Sequence, residues 1–168
     1  EEYKYVPDVC SFKINELLEK GLEDEALKEI DKTIAVYGDD GYNATEPWHL
    51  QKIGILENRN DKVGIIEEYR RLFRQFLVDK QPYFEKLKEL VAKEEWDGFV
   101  VKLFEDIPHI TDDDCIEVCD MIVEEKKYQC LLKILMDNRM SFSRVNLFKK
   151  YAPYMSEEDQ ATLYQSCN

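Results

Sequence analysis

Apolar side chains recur along residues 61–78 as Ile65, Ile66, Tyr69, Leu72, Phe73, Phe76 and Leu77. An α-helix gathers such positions into one continuous stripe, which must be buried against another element. The preceding segment supplies that element. Thr45, Glu46 and Pro47 provide an N-cap, an early acid and a first-turn proline for a helix carrying Trp48, Ile53, Ile55 and Leu56. Residues 58–61 close it as a short turn, and so brief a connection makes the two helices an antiparallel hairpin.

The layout repeats. Residues 9–20 and 23–37 form a pair broken at Gly21, with residues 38–43 as a polar exit loop. Pro82 starts a helix with Phe84, Leu87 and Leu90, and its partner runs over 94–107, ending ahead of Pro108. Thr111, with Asp114 three residues on, has a capping-box spacing and opens a helix with Ile116, Cys119, Ile122 and Val123. Leu131, Leu132, Ile134 and Leu135 close a fourth pair. Further helices are predicted near 141–151 and 156–166, the second capped by Ser156 ahead of Glu157 and Glu158. About ten helices result.

Superimposing the pairs places Ala26, Gly64, Gly98, Cys130 and Ala161 near the start of successive second helices, at intervals of 38, 34, 32 and 31. Leu27, Ile65, Phe99 and Leu131 each follow directly, and Trp96 and Tyr128 sit two positions before the third and fourth anchors. A small residue there lets the two helices approach, while its large neighbour fills the gap to the next hairpin. The expected fold is all-α: an α-α superhelix, or solenoid, of antiparallel hairpins in a single helical-repeat domain over 1–168. Only 6 Gly and 5 Pro argue against the many tight turns of a β-sandwich.

Periods in the mid-thirties, paired helices and a small residue after the turn resemble the tetratricopeptide class, with Trp48 and Gly64 at that family's Trp and Ala spacing. The family's Leu-Gly pair is replaced by Gln51 and Lys52, and no repeat has the expected proline near its end. The words around Trp48, from Tyr83 to Val91 and around Trp96 are also similar to the helical region following a SWIM zinc finger in some bacterial proteins. That finger's Cys and His signature is missing, so the resemblance implies neither zinc nor nucleic acid. What the resemblances imply is a stack of helical hairpins.

Charge narrows the partners. With 23 Lys and Arg against 36 Asp and Glu, the net charge is -13, and the field repels phosphate backbones and anionic lipid. Arg70, Arg71 and Arg74, flanked by Glu67, Glu68 and Asp79, read as a mixed-sign solvated face. No run reaches the ~18 apolar residues of a membrane span, and no signal peptide is visible. Cys10, Cys115, Cys119, Cys130 and Cys167 lie at apolar positions, as reduced thiols do, which fits the cytoplasm. The chain starts at Glu1 without Met, so a piece of a longer protein is expected.

A search for chemistry finds little. His49 and His109 lack a neighbouring nucleophile and read as surface or cap residues. Cys115 and Cys119 share a helix face with His109 upstream, yet a fourth metal ligand is missing and Ile122 continues the stripe as core. Asp112, Asp113 and Asp114, and Asp39 and Asp40 with Asn43, lack EF-hand spacing and suit a helix start and a turn. No Gly-rich phosphate loop or nucleophile elbow occurs. No catalytic residue, cofactor or metal is therefore expected.

Aromatic residues remain as recognition candidates, above all Tyr42, Trp48, Tyr83 and Tyr151, with Tyr3, Tyr5 and Tyr154 behind them. The reading is a non-catalytic module whose inner curve holds a protein or peptide segment, basic or neutral in charge. Its rival is a structural or regulatory spacer arm attached to an enzyme or zinc-binding domain.

Overall fold

The computed structural model describes residues 7–38, 45–75, 79–108, 112–137 and 144–165, apart from the side chains of residues 112, 113, 137, 144 and 145. Among them every regular element is helical. The chain divides into two compact units, Glu1–Val78 and Asp79–Asn168, where the sequence suggests one domain.

The first unit contains α1 (Pro7–Glu19), α2 (Glu23–Tyr37), α3 (Glu46–Asn58) and α4 (Lys62–Arg74). Its hairpin turns close by one backbone device. After α1, Gly21 takes a φ of 71°, its N–H donates to Leu18 and that of Leu22 donates to Leu17. After α3, Asn60 takes a φ of 55°, its N–H donates to Glu57 and that of Asp61 to Leu56. These are Schellman closures, in which a left-handed residue turns the chain back while the last carbonyls are satisfied. Asp61 then caps α4 by accepting the Gly64 N–H at 3.0 Å.

Cys10, Ile14, Ala26, Ile30, Ile34, Trp48 and Ile55 form the buried core of α1 to α3. Ile65, Tyr69, Leu72 and Phe73 are the buried stripe of α4. That helix ends at Arg74, because Gln75 turns extended with a ψ of 146°. Phe76 and Leu77, expected on the stripe, lie outside the described residues. Thr45 precedes α3 as expected but makes no cap bond; its buried hydroxyl accepts from the Gln75 amide at 2.8 Å and ties the start of α3 to the end of α4.

The second unit contains α5 (Gln81–Leu90), α6 (Lys93–Glu105), α7 (Asp112–Glu124), α8 (Leu131–Asp137), α9 (Arg144–Tyr151) and α10 (Glu157–Gln165), with 3-10 turns at Tyr128–Cys130 and Ala152–Tyr154. Phe84 of α5 meets Trp96 and Phe104 of α6 with ring centroids 5.5 and 5.8 Å apart. After α7 the Schellman closure returns, with Lys126 at a φ of 57° and N–H bonds from Lys126 to Val123 and from Lys127 to Ile122. Ser156 caps α10 by accepting the Asp159 N–H at 3.1 Å. Thr111 lies outside the described residues.

Successive pairs are linked at a recurring distance along the chain. In the first unit Trp48 donates to Ser11 and Gln51 to Asn15, spanning 37 and 36 residues between α3 and α1. In the second, the Gln81 N–H donates to Glu117, Lys88 to Glu125 and Tyr151 to the Ile116 carbonyl, spanning 36, 37 and 35.

The small-residue anchors fare unevenly. A Cβ on Gly64 would lie 2.8 Å from an Asp61 carboxylate oxygen and 3.2 Å from Leu56, so close approach requires glycine there. Ala26 is buried. Gly98 has open space around it and Ala161 is exposed, so neither permits a helix contact, and Cys130 sits in a 3-10 turn rather than an α-helix. At the Gly98 pair large side chains meet instead, Phe84 against Phe104.

Candidate functional site

In the first unit α3 carries His49 and Lys52 one turn apart, and α4 carries Glu68 opposite them. His49 is fully buried and Glu68 is 3% exposed, which corrects the surface reading of the histidine and the solvated reading of the acid. His49 Nδ1 lies 2.6 Å from Glu68 Oε2, and Lys52 Nζ donates to Glu68 Oε1 at 2.8 Å and to Asp31 of α2 at 2.6 Å. A single lysine thus ties α2, α3 and α4 together.

Burial alone pushes the Glu68 carboxyl upward, yet the bonds from His49 and Lys52 outweigh it and hold the group below the usual carboxylate range. Glu68 is therefore ionised at neutral pH. A carboxylate only accepts, so His49 Nδ1 must be the donor. Burial likewise lowers Lys52, and Asp31 and Glu68 more than compensate, leaving it above its ordinary value. A histidine oriented by a carboxylate resembles half of a catalytic triad, but this one is sealed from solvent, and its bond joins α3 to α4.

Both residues were legible on helical geometry. Glu68 falls on the α4 stripe, three after Ile65 and four before Leu72, and His49 lies four before Ile53. A charged residue on an apolar stripe is a signal of a buried pair.

The second unit holds two comparable clusters. Glu125 accepts from the Trp96 indole at 2.7 Å and from Lys88 at 2.5 Å, joining α5 and α6 to the end of α7. Fully buried Lys80 faces Asp114, Glu117 and Asp79; desolvation lowers the lysine, and the acids oppose it. Cys115 and Cys119 are buried on the apolar side of α7 beside Ile122. The bond to Cys115 and the burial of the site raise the Cys119 thiol well above its ordinary value, which disfavours the thiolate at neutral pH. Among the described residues no group of three or more His, Cys, Asp or Glu is placed to hold a metal. His109, Asp39, Asp40 and Asn43, and the side chains of Asp112 and Asp113, lie outside them.

Of the leading recognition aromatics, the three that lie among the described residues are core. Trp48 is 4% exposed, lies 5.0 Å from Tyr37 with the rings tilted at 35°, and donates to Ser11. Tyr83 is buried on α5. Tyr151 is 1% exposed, and its hydroxyl reaches the Ile116 carbonyl at 3.1 Å and Asp120 at 2.9 Å. Tyr42 and the backup candidates Tyr3 and Tyr5 lie outside the described residues.

The remaining candidate, Tyr154, reaches solvent, together with Tyr128. Tyr128 and Tyr154, in the two 3-10 turns, stack with centroids 5.6 Å apart and planes 28° from parallel, and are 37% and 42% exposed. The sequence shows each tyrosine; that two distant turns place them face to face is a tertiary fact.

Comparison with family models, curated proteins and solved structures finds no match for this chain. No described helix is long and apolar enough to cross a membrane.

Proposed function

We propose that this chain is a non-catalytic helical-repeat module that holds a segment of another protein. The exposed stack of Tyr128 on Tyr154 carries this reading: exposed aromatic pairs offer large, rigid contact area at low entropic cost. The hydrogen bonds spanning 35 to 37 residues support a tetratricopeptide-like, solenoid manner of stacking within each unit. The His49, Lys52 and Glu68 cluster supports it from the other side, since its buried charges are committed to holding helices. A cytoplasmic setting agrees with Cys10, Cys115, Cys119 and Cys130 being buried as small hydrophobes.

Selection of a displayed random peptide library on the immobilised chain tests the proposal. Enriched peptides should bind the parent chain and lose affinity for Tyr128→Ala/Tyr154→Ala. Failure to enrich any sequence favours the rival reading of a spacer arm, which draws its own support from the burial of Trp48, Tyr83 and Tyr151.

A further inference from the structure

Resting on that reading, we infer that the Tyr128 and Tyr154 surface takes an arginine-bearing, basic protein segment. Two observations on this surface combine. The first is ring geometry: the tyrosines are stacked, and each keeps more than a third of its surface open. Planar cations lie flat on such faces, and the guanidinium group does so better than the compact, strongly hydrated ammonium of lysine.

The second is the sign of the charge around the rings. Glu157 and Glu158 follow Tyr154 by three and four residues at the start of α10, and exposed Glu124 precedes Tyr128 by four. Chain connectivity keeps Glu157 within about 11 Å of Tyr154, Cα to Cα. Cations compete weakly here. Lys127 pairs with Asp97 at 2.7 Å and Lys150 with Asp120 at 2.8 Å, and the exposed bases left near the pair in sequence are Lys126 and, five residues before Tyr154, Lys149. Three exposed acids, Glu124, Glu157 and Glu158, against two exposed bases, Lys126 and Lys149, leave the surroundings acidic, in keeping with the net charge of -13. An anionic or nucleic-acid partner is repelled, while an arginine gains ring stacking and carboxylate pairing in one place.

Fluorescence anisotropy of labelled nona-arginine, nona-lysine and nona-glutamate peptides, titrated with the whole chain at about 0.15 M salt, tests the inference. Nona-arginine should bind several-fold tighter than nona-lysine, and nona-glutamate not at all. Tyr128→Ala/Tyr154→Ala should weaken nona-arginine by roughly five- to thirtyfold, the worth of two exposed ring faces, and erase its advantage over nona-lysine. Tyr128→Phe/Tyr154→Phe, which keeps the rings, should retain that advantage. Glu157→Gln/Glu158→Gln should weaken both basic peptides and flatten their salt dependence. Tyr154→Ala alone serves if the double variant loses its helical circular dichroism.

Equal affinity for the two basic peptides, or an alanine variant binding as well as the parent, overturns the inference. Library peptides that depend on Tyr128 and Tyr154 but carry no arginine overturn it too, while leaving the interaction module standing. A library that enriches nothing removes both.

Discussion

Replacing Glu68 by Gln isolates the charge that joins α4 to α3. In the parent chain the buried carboxylate accepts one bond from His49 at 2.6 Å and one from Lys52 at 2.8 Å. Bonds to a charged group contribute about 1.5–3 kcal/mol each, and neutral ones about 0.5–1.5 kcal/mol. Glutamine keeps the shape and both contacts: its oxygen accepts from Lys52, and its amide donates to His49 once the ring shifts tautomer. Two bonds weaken by about 1 kcal/mol each, so Glu68→Gln should cost about 2 kcal/mol. Glu68→Ala, which takes the Glu68 partner from His49 and leaves Lys52 with Asp31, should cost about 3–5 kcal/mol.

Urea unfolding followed by tryptophan fluorescence reads this in a Trp96→Phe background, where Trp48 reports on the first unit. The slope should stay constant while the midpoint falls. Acid provides the internal check. Because Glu68 titrates below its ordinary value of 4.5 in the folded chain, the stability it contributes is complete above that value and disappears as pH falls through the folded one. The gap between parent and Glu68→Gln should therefore be full at neutral pH and close as the parent's own carboxylate is protonated. A loss under about 0.5 kcal/mol at neutral pH, or a gap untouched by acid, would refute the assignment.

Glycine substitutions should split in sign. Gly64→Ala drives a methyl into Asp61 and Leu56 and should cost about 1 kcal/mol net, whereas Gly98→Ala, facing open space, should gain about 0.5–1 kcal/mol, both read by thermal unfolding. In the second unit Cys119, Cys130 and Tyr151 are held above their ordinary values of 9.0, 9.0 and 10.0, so the stability they contribute is present below those values and lost as pH rises past about 9. Lys80, held below its ordinary 10.5, works the other way. Thermal melts in a Trp48→Phe background should fall between about pH 8 and pH 10.5, and a rise would mean Lys80 dominates. Tyr151→Phe should cost about 1 kcal/mol at neutral pH through its lost bonds to Ile116 and Asp120, and should soften the alkaline fall.

Local order was written in the residues themselves. A 3.6-residue apolar period, Gly21 at a turn, Pro82 in a first turn and Ser156 as a cap each act within a few positions, so helix order and approximate ends follow from neighbours alone. The spacing of Gly64 to Leu56 and Asp61 is local in the same sense. Which face of a helix meets which partner is not. His49 and Glu68 are 19 residues apart and become a pair only when α3 folds onto α4, and Tyr128 and Tyr154 become one surface only when two turns converge. Periodicity says that a stripe will be covered; tertiary packing chooses the cover, and with it which rings are sealed in and which meet solvent.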